Sequence, residues 1–342
     1  MNLQFPLPNR DYKVLIRCNT YNQKKYIKDS LNGFTMQSTD FPYCALIIDD
    51  ASTDGEQDFL IEYIQNECDT SSAEYMDSDT MLSCVVRHKT NGNCTFVFML
   101  LKENHWQQGK SMVPYYKPWR DHSEYEALCE GDDYWIDPFK IQKQADILDE
   151  NIGISLVYTG FKTVNENKAD ILVPKFISYN KKGFTGFHLA ELIKGNFIMF
   201  LSTMMRISVL NSPILKNAKV LYDYSYFLAA ASIGDLYHIE DITCAYRINA
   251  ASLMQSQRDS VMKATLKIQT DTSLSVLRNE IDIPNVYNSL ITKSVILKIA
   301  VSYWRKHKFP EFYMAVYKEL GFRVLFTPFA YLLLGINSLI KK

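Results

Sequence analysis

The first half of the chain predicts an α/β fold, a mostly parallel sheet doubly wound with helices, on three observations. Short apolar runs alternate with segments of helical periodicity. The runs are strand-length and continuous, as strands covered on both faces are. A polar loop follows each run, and in folds of this class ligands bind at the carboxyl ends of the strands.

In chain order, "YKVLIRC" (12–18) reads as the first strand. Residues 24–36 read as a helix, because Tyr26, Ile27, Leu31 and Phe34 fall on one face. "CALII" (44–48) is the second strand, followed by a turn and a helix over about residues 55–65. Residues 66–93, rich in Asp, Ser and Thr, read as an insertion with a short strand near 83–87. "FVFMLL" (96–101) is a third strand running into "KENHWQQGK", and a fourth runs into "CEGDD" (129–133).

Behind that acidic turn, Asp137 as N-cap and Pro138 at the first helical position predict a helix, with Ile141, Ala145 and Leu148 at helical spacing. Strand-like pieces return as "ISLVYTGF" (154–161) and "DILV" (170–173), then a helix over 186–194 closed by Gly195, and "FIMFLSTMMRISVL" (197–210). A helix over 223–234 leads to two strands, "LYHIE" and "ITCAYRI". Beyond Ser252 the pattern is helical. The expected organisation is a domain over 1–255, with halves of 1–135 and 136–255, and a helical C-terminal extension over 256–342.

Composition narrows the function classes. The 342 residues suffice for one large domain or two small ones, with 47% hydrophobic and 22% charged residues. With 37 basic against 38 acidic residues there is no electrostatic footprint for nucleic acid. The seven cysteines show no CxxC and no metal-ligand spacing, so they read as reduced core thiols of a cytosolic protein. The N-terminus has no apolar segment of the secretory kind, which adds to the expectation of a cytoplasmic protein. The apolar run over 324–340 is short of the roughly 20 residues a span needs. It is broken by Pro328 and ends in Lys341 and Lys342. Two readings stand: a helix packed on the domain, or one lying at a membrane interface. The second would make the protein peripheral on the inner face of the cytoplasmic membrane.

Two loops concentrate acids. In "DDASTDG" (49–55), Asp54 or Ser52 can cap the following helix, but capping does not explain the adjacent Asp49 and Asp50 at a buried strand end. An Asp there can accept the N3–H of a uracil ring. In "CEGDDYW", Glu130, Asp132 and Asp133 surround one glycine, and such crowding is costly without a positive partner. Acids could serve the dipole of the next helix, but three exceed what a cap needs. Carboxylates so spaced suit Mn²⁺ or Mg²⁺, which take oxygen ligands and leave room for phosphate oxygens. Tyr134 and Trp135 either wall this site or anchor the helix in the core.

Five stretches in this order, "TYNQKKYIKDSL", "IIDDASTDG", "KENHWQQG", "ALCEGDDYWIDPFKIQKQ" and "YDYSYFLAAASIGDLYHIEDITCAYRINAAS", resemble the family 2 inverting glycosyltransferases of the bacterial surface-polysaccharide kind over roughly residues 12–255. The resemblance implies an A-type, Rossmann-like nucleotide-sugar-binding fold, a nucleoside-diphosphate sugar donor (often UDP), a divalent metal, and inversion at the anomeric carbon. Carried over, Thr20 and Tyr21 match the nucleotide-contacting loop, and Asp50, with Asp49 beside it, the base-recognition acid. Glu103 and Asn104 match a polar pair after the third strand. Glu130, Gly131 and Asp132 occupy the Asp-x-Asp position, Glu replacing the first Asp, so Asp132 is the first and Asp133 the second candidate metal ligand. Asp223 falls where the family carries its general base; a helix-capping role is its alternative. Arg247 matches a basic residue that can meet the diphosphate, and Asn249 stands where the family often has His.

The expected reaction is sugar transfer to a glycan or lipid-linked acceptor. A sugar nucleotidyltransferase is an alternative, weakened because "RCNTYNQKKY" lacks the glycine-rich triphosphate loop, and so is a scaffold of the same fold without chemistry. Ser202, Thr203 and Arg206 are candidates for the acceptor side, with ordinary structural roles as the alternative.

Overall fold

The structure is a computed structural model that describes residues 5–180, 188–217 and 223–249, and residues 268 and 272 besides. The expected extension over 256–342 therefore lies, but for those two positions, outside the described residues.

Ten strands form one sheet: β1 (Tyr12–Thr20), β2 (Tyr43–Asp49), β3 (Glu74–Asp77), β4 (Met81–Arg87), β5 (Cys94–Leu101), β6 (Ser123–Leu128), β7 (Tyr134–Trp135), β8 (Ile154–Val164), β9 (Thr203–Arg206) and β10 (Asp235–Arg247). Their spatial order is β3-β4-β5-β2-β1-β6-β9-β8-β10-β7. β5, β2, β1 and β6 are mutually parallel, β8 and β10 are parallel, and only β4, β9 and β7 run against the rest. The expected α/β class with a mostly parallel sheet is what the chain adopts.

The helices are α1 (Ile27–Thr35), α2 (Glu56–Glu67), α3 (Val113–Asp121), α4 (Lys140–Glu150), α5 (Pro174–Asn180), α6 (Leu189–Lys194), α7 (Pro213–Asn217) and α8 (Asp223–Ile233). Strand alternation sorts side chains to two faces. Ile16, Cys18, Ala45 and Ile47 join Leu31, Phe34, Leu60 and Ile141 in one core cluster, whereas Leu15, Leu46 and Ile48 join Tyr115, Tyr116 and Trp119 of α3 in the other. Every residue of β2 is buried, which is why its sequence is an unbroken apolar run. Each such Leu, Ile or Phe contributes about 1.5–3 kcal/mol by leaving water.

Local differences have local causes. The insertion over 66–93 builds the hairpin β3–β4, which extends the sheet antiparallel to β5. The helix behind the acidic turn starts at Lys140 rather than Pro138, because Asp137 Oδ1 accepts the Phe139 N–H at 2.8 Å and holds a turn there. "DILV" contributes only an isolated bridge, Val164 with Asp170. The two expected strands after α8 are one, β10, with irregular register between Ile239 and Cys244. All seven cysteines are free and buried. No helix among the described residues is long and apolar enough to cross a membrane.

Candidate active site

From β1 the sheet grows outward through β2 and β5 on one side and through β6 on the other. The chain direction of construction reverses between β1 and β6, and at such a switch point the loops beyond the carboxyl ends part to leave a crevice. The loops after β1, β2, β5 and β6 meet there, and they carry the residues singled out by sequence.

The β1 and β2 loops are stitched together by Glu56, the first residue of α2, which is fully buried. Its Oε1 accepts from Thr20 Oγ1 at 2.5 Å, and its Oε2 accepts from the Gln23 N–H at 2.7 Å and Ser52 Oγ at 3.0 Å. Burial pushes its carboxyl up to about 7 despite these donors. Asn22 and Asp54 add crossings, Asn22 Oδ1 accepting from Thr53 N–H at 2.7 Å and Asp54 Oδ2 from Lys24 N–H at 3.0 Å. Asn22 and Ala51 both hold positive φ, 54° and 60°, a backbone state costing about 1–3 kcal/mol for non-glycine residues and concentrated at functional loops. Gly55 supplies the left-handed residue that starts α2, at φ 85°.

Asp49 and Asp50 face different partners. Asp49 is buried; its Oδ1 accepts from Ser52 N and Gln57 Nε2, while its Oδ2 has no partner, and burial raises its pKa. Both oxygens of Asp50 are engaged by the β5 loop, accepting from His105 N at 2.6 Å and Trp106 N at 3.0 Å. Asn104 Nδ2 donates to the Asp50 carbonyl at 3.0 Å, so this member of the polar pair fixes the loop against β2. Glu103 is exposed and paired with Lys110 at 2.9 Å. Tyr21 is exposed on the β1 loop, and Trp106 on the β5 loop.

The acidic turn lies against β1. Gly131 donates its N–H to Asn19 O at 3.2 Å, and Ser30 Oγ of α1 donates to Gly131 O at 3.0 Å and Asp133 O at 2.5 Å. The last described strand ties the other side. Arg247 N–H donates to Asp133 Oδ1 at 2.8 Å, Arg247 Nε to Asp132 O at 2.8 Å, and Asn249 Nδ2 to Asp132 Oδ2 at 2.9 Å. The rest of the Arg247 guanidinium reaches Asp29 at 2.7 Å and Glu166 O at 3.2 Å, with the Tyr26 ring 4.5 Å away. Arg247 is thus buried with its donors directed inward, as a clasp between β10, α1 and the turn.

Crowded burial raises these acids. Glu130 is pushed up to about 8 by desolvation, with the Asp223 and Asp132 charges adding to it and Arg17 opposing. Asp132 and Asp133 are raised mainly by burial, the latter well above the carboxylate range. Asp223, at the start of α8, is exposed to solvent yet enclosed by enough protein to push it up to about 6, against the pull of Arg17. Strongly shifted acids at the carboxyl ends of sheet strands are a feature that functional sites share with buried ion-pair networks.

The donor set fits a hard divalent cation. Glu130 and Asp132 offer carboxylate oxygens, and beside Asp132 the Asn249 Oδ1 is buried without a partner. Among the described residues no three His, Cys, Asp or Glu side chains form a ready cage, so an ion here would complete its shell from a ligand's oxygens and water.

Of the remaining candidates, Trp135 is a core anchor, its Nε1 donating to Leu201 O at 2.9 Å and its ring lying 4.4 Å from Lys140 Nζ. Ser202 and Thr203 hydroxyls close a local turn on Met199 O and Phe200 O. Arg206 donates to the Leu148 and Asn151 carbonyls at the end of α4 and to the Ile154 carbonyl at the start of β8. In this structure all three therefore make structural contacts.

No family model matches the chain. Uncharacterized proteins of Mycobacterium tuberculosis and Mycobacterium bovis are 26% identical over 238 residues, 69% of this chain; the chain spans 59% of their length. Among solved structures, S. aureus TarS (residues 1–349) in complex with UDP-GlcNAc aligns at a TM-score of 0.55 and 17% identity, covering 84% of this chain and 72% of that one. The mannosyltransferase PcManGT of Pyrobaculum calidifontis, in complex with GDP-Man and Mn²⁺, aligns at 0.52 and 11% identity, covering 99% and 85%. The chain carries a glycosyltransferase fold.

Within that fold, the loops that carry Thr20, Asp49, Asp50, Asn104, Glu130, Asp132 and Asp133 are hydrogen-bonded to one another at the carboxyl ends of β1, β2, β5 and β6, and the Asp223 charge adds to the rise at Glu130. Glu56 went unmarked in the sequence, because an acid in the first turn of a helix is ordinary. Only its position one residue past Gly55, in a loop already rich in acids, hinted at more.

Proposed function

We propose that the protein is an inverting glycosyltransferase of the family 2 kind that transfers a sugar from a nucleotide-diphosphate donor, a UDP-sugar, to a glycan or lipid-linked acceptor in bacterial surface-polysaccharide synthesis. The observation that carries the reading is the acidic turn Glu130–Asp133, held at the carboxyl end of β6 against β1 and α1 by Gly131 and Ser30 in a glycosyltransferase fold, with burial raising Glu130, Asp132 and Asp223. Those solved neighbours were captured with UDP-GlcNAc and with GDP-Man, which supports a nucleotide-sugar donor here.

The donor's base lies over Asp49 and Asp50, with Thr20 and Tyr21 at the nucleotide and Glu103 and Asn104 bounding the pocket. Asp49 Oδ2, buried and unpartnered, is the better placed of the two acids to accept a base N–H. Asp132, with Asp133 as the second candidate, would hold Mn²⁺ or Mg²⁺, and such an ion would supply positive charge against the departing diphosphate. Asp223 takes the proton from the acceptor hydroxyl as that oxygen attacks the anomeric carbon and the bond to the diphosphate breaks, inverting the centre. A carboxyl at about 6 is ionised at neutral pH and still basic enough for the task. Arg247 supports this arrangement by positioning Asp132 and Asp133.

The test is binding and slow hydrolysis of a panel of UDP- and GDP-sugars with Mn²⁺, Mg²⁺ or EDTA. One donor that binds with metal and is released by EDTA supports the reading; a folded protein that binds none points to a scaffold. A membrane surface reached through the extension over 256–342 completes the proposal. Deleting residues 322–342 is expected to release membrane-bound protein and keep donor hydrolysis, and unchanged partition counts against the anchor.

A further inference from the structure

Beneath the crevice lies a buried charge cluster that no stretch of sequence announces. Glu126 of β6, fully buried, is shared by two arginines: Arg17 of β1 donates from Nε to Oε1 at 2.9 Å, and Arg120 of α3 donates from Nε to Oε1 and from Nη2 to Oε2, each at 2.9 Å. Two guanidiniums against one carboxylate leave a positive charge over. Arg120 alone already satisfies Glu126 in the bidentate manner. The surplus therefore belongs to Arg17, which is 5% exposed and whose Nη2 is buried with no partner.

The direction of that surplus is constrained. Tyr116, Phe200 and Tyr226 rings lie 5.2, 5.5 and 5.7 Å from the Arg17 guanidinium carbon and close off apolar sides. Tyr226 and Asp223 are three residues apart on α8, hence on one helix face, so the face that rests on Arg17 also carries Asp223. The Arg17 charge holds the carboxyls of both Glu130 and Asp223 below where desolvation alone would put them, and Glu130 in turn raises Arg17. A buried guanidinium without a full counter-charge costs several kcal/mol, and the core does not require this one.

We propose that Arg17 is a positioning residue for the transfer step, its surplus charge holding the Asp223 carboxylate at the crevice in the orientation that receives the acceptor proton. The inference rests on the reading of Asp223 as the general base. It makes Arg17 the link between a structural ion pair and the reacting end of α8, without contact to donor or metal.

The experiment is steady-state hydrolysis of UDP-GlcNAc or GDP-mannose, whichever the wild-type protein turns over, by Arg17→Met, Arg17→Lys and Asp223→Asn. Because Arg120 keeps Glu126 paired, Arg17→Met is expected to fold; should it not, Arg17→Gln replaces it with the same expectations. Loss of a transition-state interaction alone lowers kcat without raising KM, so Arg17→Met should lose roughly 30-fold or more in kcat with donor KM within about 2-fold, and Arg17→Lys should recover most of it. Unchanged kcat in Arg17→Met overturns the inference, and so does a raised KM at constant kcat, which would make Arg17 a donor contact. Full activity in Asp223→Asn, or no turnover of either donor by the wild type, removes instead the reading on which it rests.

Discussion

Gly131 lies so close to Thr20 that a Cβ on it would stand 2.3 Å from Thr20 Oγ1 and 2.8 Å from Thr20 Cβ. Gln23 Oε1 would be 2.4 Å away. The glycine between the acids is thus required by the β1 loop, whose Thr20 is itself held by Glu56.

From this, Gly131→Ala is expected to push the acidic turn off β1, at a cost of about 1–3 kcal/mol as overpacking usually has. Donor affinity should fall with stability. Thermal melting and UDP-GlcNAc or GDP-mannose titration of the variant check it; a wild-type melting temperature with intact binding would show that Thr20 can swing away freely.

Asp132→Ala and Asp223→Asn should separate. The first is expected to abolish the part of donor binding that EDTA removes. The second should keep donor binding and lose turnover by about 10²- to 10⁴-fold, the usual worth of a general base. Parallel calorimetry and hydrolysis assays decide; identical defects in both would mean that one site does both jobs.

Glu56 predicts a pH dependence of stability. Its folded pKa of about 7 is above the ordinary 4.5, so its contribution is fully present below about 4.5 and is lost as pH rises through 7. The size is on the order of 3 kcal/mol for such a shift. Glu56→Gln, neutral throughout and able to donate to Thr20, should flatten this component. Melting curves of both proteins from pH 4.5 to 8 give the difference, in which the other raised acids cancel; superimposable pH profiles would contradict the assignment.

Arg247→Met leaves Asp29 with Lys168 alone, at 2.6 Å, and takes a donor from the Asp132 and Glu166 carbonyls. Losing the partner of a buried polar group costs about 1–3 kcal/mol. Chemical denaturation should register that loss. If Arg247 instead served the diphosphate, donor affinity would drop in a variant of wild-type stability.

The parallel strands were legible because each is an apolar run ended by a polar loop, and β2 is the clearest, with all seven residues buried. The acids of the crevice were legible because the loop after a strand end is where this class of fold binds ligands. What each acid touches was not. Asp50 spends both oxygens on amides 55 and 56 residues onward, and Arg17 meets Glu126 across 109 residues, separations that leave no periodic trace. Arg247 and Arg206 read alike as cations near a site, yet Arg206 is consumed by carbonyls and Arg247 by carbonyls and Asp29. Charge in a sequence says that a partner exists without saying which.

The bonds from Arg247 and Asn249 to Asp133 and Asp132 span 114 and 117 residues. A nascent chain that has just emitted its acidic turn from the ribosome cannot yet shape it, since the strand that finishes it is still to be made. A truncated product ending before β10 would carry the acidic turn without the strand that holds it, and swapping the first 135 residues into a homologue would import the turn while leaving its geometry to the recipient.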